Sequence, residues 1–234
     1  MFDKMLSQLK RAMLSDPGNV SLRDAYNRAR NRCNVRVGKK CPFSVSAMLA
    51  EEPFYDDSLS LALRNRLAHA GPTGIVLSMP ELIRTKLQAS DDHAFWNDYF
   101  DVHSEESKLI DSKGTRYQKD EPVYLIIHGG GILTPDRIDQ AITEGLLAGA
   151  VKYTPDEVNS VLDGTLPDGT LIDLPPFEEI ERGVDHLPHR FGIITPFSLI
   201  ENTKSGYFDK KTFLNNPLAI MRNAVPQGLD SYFD

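Results

Sequence analysis

The sequence predicts an α/β protein, with a mixed sheet flanked by helices and a helical hairpin at the N-terminus. Short apolar runs typical of strands alternate with stretches in which apolar residues recur at helical spacing. The most apolar run ends in three consecutive glycines, and a helix signal follows at once. Strands separated by helical stretches are typical of layered α/β structures, not of helical bundles or β-sandwiches.

Length and composition are typical of a globular protein and argue against several other classes of protein. With 234 residues, of which 41% are hydrophobic, the chain can bury a core without covalent support. Its cysteines, Cys33 and Cys41, are too few for a disulfide framework and lack the second pair that a zinc site needs. No apolar run approaches the ~20 residues of a membrane helix, and the N-terminus lacks the apolar segment of a signal peptide. We therefore expect a cytoplasmic protein that does not bind a membrane.

Charge divides the chain into two parts. Residues 1–40 carry ten Lys/Arg and three Asp/Glu, whereas residues 41–234 carry sixteen and thirty. We expect the basic part to bind the acidic part, in the same chain or in a second copy. An external polyanion such as nucleic acid is the weaker alternative. The sequence thus predicts a basic helical hairpin over residues 1–36 and an acidic α/β domain over residues 37–234.

The hairpin prediction depends on two amphipathic stretches separated by a turn. The turn is Ser-Asp-Pro-Gly-Asn at residues 15–19, which combines strong turn formers. The apolar positions are Phe2, Met5, Leu6, Leu9 and Met13 before the turn, and Leu22, Ala25, Tyr26, Ala29 and Cys33 after it. A single helix pair suits a capping or docking role better than a repeat array.

Two helix signals open the α/β part. A helix is predicted from Asp57 or Ser58 to Gly71, and a second from Pro80 to about residue 88, because proline suits the first helical position. Residues 91–120 lack clear periodicity, so we assign them to loops and short elements.

Strand, glycine turn and helix then follow one another. Residues 123–128 are predicted as a strand, and residues 134–148 as a helix that Thr134 begins and Gly149 ends. Thr154 has the capping-box spacing, which predicts a further helix up to a glycine at residue 164. The remaining signals predict a strand at 170–174, a helix at 177–182, a strand at 191–195 and a helix that starts near Asn216-Pro217.

The segment His128-Gly129-Gly130-Gly131 resembles the oxyanion motif of the hormone-sensitive-lipase branch of the α/β hydrolases. In that family, glycine amides stabilise a developing negative charge. The family also requires a serine enclosed by two glycines, and Gly145 and Gly149, which have that spacing, enclose a leucine. The third glycine of the dinucleotide fingerprint is missing, and residues 164–170 have P-loop glycine spacing without the lysine.

A more general hypothesis needs only the turn. Successive glycine amides can form an anion nest, and the following helix adds the positive end of its dipole. We therefore predict Gly129, Gly130, Gly131 and Thr134 as ligand-binding residues for a phosphate or a carboxylate. His128, which ends the strand, is the candidate catalytic residue. The alternative is that the glycines only let a buried strand turn tightly.

Two polar clusters could supply metal ligands. Asp101-Val-His103-Ser-Glu105 places its ligands on one face if it is extended, and Asp185-His186-Leu-Pro-His189 places three within a loop. Nothing in the sequence brings either cluster to His128. We therefore predict no metal site and assign no cofactor.

Two functions fit these features. Charge segregation favours association with other protein chains, including a second copy of this one. The alternative is a small enzyme or ligand-binding protein that holds an anionic group at residues 128–131. We do not expect nucleic-acid binding, because aromatic and basic residues are not interleaved as in proteins that bind single strands. The sequence favours the first function and does not exclude the second.

Overall fold

The computed structural model of the protein describes residues 56–71, 74–91, 93, 96, 100–109, 122–147 and 149–196, together with Ala12 and Ala224. Apart from Ala12, the predicted hairpin over residues 1–36 lies outside the described residues, as does the start of the helix predicted near residue 216. Within them, the chain forms five α-helices and a three-stranded antiparallel sheet, which confirms the mixed α/β class.

The first two helices lie where the sequence predicts them. They are α1 (Leu59–Ala70) and α2 (Met79–Gln88). The side chain of Ser58 caps the start of α1, and Gly71 ends it with a positive φ. Helix α2 is buried along most of its length, and the buried residues include the carboxylate of Glu81.

The sheet has β2 (Val123–His128) at its centre, between β1 (Ser104–Leu109) and β3 (Phe191–Pro196). Both neighbours run antiparallel to β2. Every residue of β2 except Tyr124 is buried. A strand covered on both faces needs apolar side chains at successive positions, which explains the run that the sequence shows. At the end of β2, His128 pairs with the first residue of each neighbouring strand.

Three helices connect β2 to β3. They are α3 (Pro135–Glu144), α4 (Pro155–Leu162) and α5 (Phe177–Glu181), and a short 3-10 helix, Val184–His186, follows them. Threonine side chains cap α3 and α4, and the capping box predicted at Thr154 is present.

Side chains of β2 alternate between two cores. Leu125 and Ile127 lie on one face, in a cluster with Ile132, Val161, Leu166 and Ile172. Ile126 lies on the other face, in a cluster with Ile180, Leu187, Phe191, Ile193 and Ala224. This two-residue alternation follows from the pleat of the strand.

Three element predictions differ from the structure. Strand β1 lies in the stretch assigned to loops; it is polar because Glu106 and Lys108 are exposed on a strand with one described neighbour. Helix α3 ends at Glu144, four residues early, because Gly145 takes a φ of 93° that ends the helix. Residues 170–174 form isolated bridges, where the sequence predicts a strand, and one of these joins Asp173 to β3.

Candidate functional site

Two hydrogen bonds donated by backbone amides join the start of α2 and the start of β1. The amide of His103 donates to the carbonyl of Leu77 over 2.7 Å. The amide of Met79 donates to the hydroxyl of Ser104 over 2.8 Å. These bonds hold the entry to β1 against the first turn of α2, beside the end of β2.

The glycine turn after β2 packs against both of its neighbours. The amides of Gly129 and Gly130 donate to the carbonyl of His103 over 2.9 and 3.1 Å. On the other side, Nε of Arg190 donates to the carbonyl of Gly129 over 2.9 Å. A Cβ on Gly129 would collide with the carbonyl of His189. The turn therefore joins the residues that lead into β1 to those that lead into β3.

A side chain at position 130 is disfavoured both by the backbone conformation and by the neighbouring side chains. Its φ is +101°, and a Cβ there would lie 2.9 Å from Nε2 of His103 and 3.1 Å from Nη2 of Arg190. The imidazole edge and the guanidinium thus meet over the backbone of the turn. A side chain at position 130 would displace at least one of them.

A buried carboxylate orients His189. Glu81 is fully buried, and its Oε1 lies 2.6 Å from Nδ1 of His189, whose side chain is 19% exposed. The other oxygen, Oε2, accepts hydrogen bonds from the amide and the hydroxyl of Ser78, over 2.8 and 2.7 Å. Burial by itself would raise the pKa of Glu81, but these hydrogen bonds outweigh it and hold the pKa below its ordinary value. Glu81 is therefore ionised at neutral pH.

His103 is a neutral imidazole beside a cation. Burial, together with the charge of the nearby Arg190, lowers the pKa of His103 to about 4. Among the described residues, neither ring nitrogen of His103 has a hydrogen-bond partner, and the guanidinium of Arg190 has no carboxylate partner. Both side chains are only partly buried.

The amides that follow the glycines bind a carboxylate from the chain itself. Glu105 accepts hydrogen bonds from the amides of Ile132 and Leu133, over 2.8 and 2.9 Å. Its carboxylate occupies the space that a Cβ on Gly131 would need. Thr134 caps α3, because its hydroxyl accepts from the third amide of that helix. The two amides that follow the glycines are thus bonded to a side chain of β1, and the binding of a ligand by Gly129, Gly130, Gly131 and Thr134 stays a prediction.

His128 is 1% exposed and lies behind the turn. Its Nδ1 lies 2.9 Å from the hydroxyl of Ser104. Its ring packs against Phe191, with centroids 5.0 Å apart. These contacts join the three strands, so the geometry suits an orienting role, and the catalytic role of His128 stays a prediction.

The structure brings some of the sequence candidates together. His103 and Glu105, from the alternating cluster, lie at the turn with their side chains, whereas His189, from the loop cluster, lies there with its backbone carbonyl. His186 and Asp101 are exposed. No group of three metal-binding side chains occurs among the described residues.

Sequence reasoning missed two members of the site. Ser78-Met-Pro-Glu81 has the capping-box spacing, which could have identified Glu81, and the box is present. Arg190 carries no comparable signal, because its role comes from a contact with a residue 61 positions away.

Comparison of the chain with family models, curated proteins and solved structures finds no match. In the part of the chain that the structure describes, no helix is both long and apolar enough to cross a membrane.

Proposed function

We propose that the protein binds a small molecule that carries an anionic group, a phosphate or a carboxylate, beside the turn His128–Gly131. Arg190 holds the anion in this proposal. The observation that carries it is a partly buried guanidinium with no carboxylate partner among the described residues. Cations out of bulk solvent are normally paired, and a guanidinium binds carboxylate and phosphate oxygens through paired N–H groups.

The neighbourhood of Arg190 supports an anionic ligand. Its Nε is anchored on the carbonyl of Gly129, so the rest of the guanidinium is held in place before a ligand arrives. The negative charge of Glu81 is already shared with His189 and Ser78. His103 is neutral and does not compete for the anion.

The amides of the first two glycines of the turn do not bind the ligand in this proposal, because they form hydrogen bonds that hold neighbouring segments in place. The amides of Gly129 and Gly130 are bonded to the carbonyl of His103, and those of Ile132 and Leu133 are bonded to Glu105. The proposed ligand therefore lies against the side chains that the turn brings together.

Thermal unfolding with added phosphate, sulfate or acetate tests the proposal. At about a hundred times its dissociation constant, a ligand stabilises the folded state by ~2.7 kcal/mol, and for a chain of this size that raises Tm by roughly 5–10 °C. Arg190→Gln should abolish the shift. Arg182→Gln is the matched control, because Arg182 is 59% exposed and its nearest carboxylate, on Glu179, is 3.9 Å away.

The ligand-induced shift is the quantity to compare, because Arg190→Gln also removes the bond to Gly129. Anions bound by the basic N-terminal residues would shift the two variants equally. An equal shift in the wild type and Arg190→Gln would refute the proposal, as would no shift with any of the anions.

As a second function, we propose association with another protein chain or a second copy. Exposed large apolar side chains follow one another at the end of α3, and Leu147 is 67% exposed. The members of this apolar surface are Ile142, Leu146 and Leu147. Clustered exposed apolar residues mark interaction surfaces more often than isolated ones do.

Sedimentation velocity over a wide range of protein concentration tests this second function. Leu147→Ser should lower the fraction of larger species, whereas Gln140→Ala, on the nearby helix α3, should not. Association that weakens with salt instead would indicate attraction between the basic and acidic parts of the chain. A single monomeric species under all conditions would contradict self-association.

A further inference from the structure

We propose that the site beside the turn is catalytic, with His103 as the proton donor and His189 as the proton acceptor toward the anionic ligand held by Arg190. This inference rests on the proposed anion-binding function. It assigns the two histidines separate roles and restricts the ligand to one that exchanges protons close to its anionic group.

His189 suits the acceptor because Glu81 determines its orientation. A carboxylate at Nδ1 holds a proton on that nitrogen, which leaves Nε2 as the atom able to accept a second one. The carboxylate itself cannot rotate away, because both of its oxygens are bonded. The side chain is 19% exposed, so part of it is open to solvent.

His103 suits the donor because of its position beside Arg190. Its Nε2 and Nη2 of Arg190 both face Gly130, so an anion bound by the guanidinium lies next to the imidazole. In the free protein the ring is neutral, since burial and the charge of Arg190 lower the pKa of His103 to about 4. A bound anion offsets that charge. It therefore favours protonation of His103, which then donates a hydrogen bond to the ligand.

Among the described residues, three charged or titratable side chains act on His103. Arg190 and His189 face it from the residues before β3, and Glu81 faces it from α2. The turn contributes only glycine backbone. Arg190 is thus the cation whose charge a bound anion would offset most directly.

The proton balance closes within the site. On ligand binding, His103 takes one proton from solvent. His189 accepts a proton from one atom of the ligand at Nε2, while His103 releases its proton to another atom. The ligand gains one proton and loses one, as in a tautomerisation, and water returns the proton from His189 to His103. The step needs no oxidant or reductant.

Calorimetry with sulfate tests the donor, because sulfate stays doubly charged between pH 4 and pH 8. Wild-type affinity should rise as the pH falls, by up to about tenfold per pH unit, because a protonated group in the complex strengthens binding. His103→Gln should retain binding that depends on Arg190 but lose its pH dependence. His186→Gln, which changes an exposed histidine, should behave as the wild type.

Ring-nitrogen NMR of the wild-type protein and of Glu81→Gln tests the tautomer that the acceptor role requires. His189 should show its proton on Nδ1, and Glu81→Gln should shift that signal and leave the signal of His103 in place. If Glu81→Gln does not fold, the wild-type spectrum still decides the tautomer.

The outcomes separate the two proposals. Sulfate binding that depends on Arg190 but not on pH would refute the donor role and leave the proposed function intact. A proton on Nε2 of His189 in place of Nδ1 would refute the acceptor role. The absence of any sulfate binding that depends on Arg190 would refute the proposed function and, with it, this inference.

Discussion

Replacement of Gly130 by alanine tests the packing on which the site depends. Alanine at a φ of +101° costs about 1–2 kcal/mol, of which about 0.4–1 kcal/mol is offset by the stiffer unfolded chain. The new Cβ would also lie 2.5–2.9 Å from the ring of His103. Hydrogen bonds hold the backbone of His103 on both sides, so the ring can move away only by rotation of its own side chain.

Overpacking of this kind costs about 1–3 kcal/mol. We therefore expect Gly130→Ala to lower the free energy of unfolding by about 2–4 kcal/mol. Gly145→Ala is the matched control. Gly145 has a φ of 93°, but no atom lies within 4 Å of the position of its Cβ. The control should lose only about 1 kcal/mol, from the backbone alone.

Urea unfolding followed by the fluorescence of the single tryptophan, Trp96, measures both variants. Gly130→Ala combined with His103→Ala should recover part of the loss, because the second substitution removes the obstructing ring. A coupling of about 0.5–3 kcal/mol is typical of residues in contact. Equal losses for Gly130→Ala and Gly145→Ala, with no coupling to His103, would refute the packing argument.

Three further predictions concern single residues. Burial raises the pKa of Glu105, and the amide hydrogen bonds only partly oppose this, so its protonated form favours folding. That contribution is complete below about pH 4.3 and is lost as the pH rises through the raised pKa. Urea unfolding at pH 4 and pH 7 should show the wild type losing stability relative to Glu105→Gln, and parallel changes would contradict this. Thr154→Ala should cost about 1 kcal/mol in thermal unfolding, because it removes the capping hydroxyl of α4; no change in Tm would show that the cap is dispensable. Leu125→Ala, in the core at 0% exposure, should cost about 2–5 kcal/mol in urea unfolding, whereas Leu147→Ala should stay within about 0.5 kcal/mol, and similar costs for both would contradict the assigned core.

Helix and strand positions with strong local signals could be predicted from the sequence. Ser58, Thr134 and Thr154 cap helices where their spacing predicts it, because a cap is a contact between residues three positions apart. Strand β2 is equally clear, since a strand buried on both faces leaves a continuous apolar run. Strand β1 could not be predicted, because its polar sequence pairs only when β2 is beside it.

For the candidate site, too, local features could be predicted from the sequence and long-range contacts could not. The sequence singled out the glycine turn, His103 and His189, but it could not bring them together. Glu81 and His189 are 108 residues apart. Their contact requires α2 to pack beside the end of β2 and the residues before β3 to return there. Local patterns carry no information on that packing.

By itself, the sequence determined the mixed α/β class, the central strand, the capped helices and the three glycines that end β2. Each of these depends on residues close together in the chain. Only the tertiary structure decided which groups pack against the three glycines. Each leaves space for a group from another segment: the carbonyl of His189, the ring of His103 with Arg190, or the carboxylate of Glu105. A sequence shows that a glycine lacks a side chain. The atoms that occupy the space beside it come from distant parts of the chain, so only long-range packing determines them.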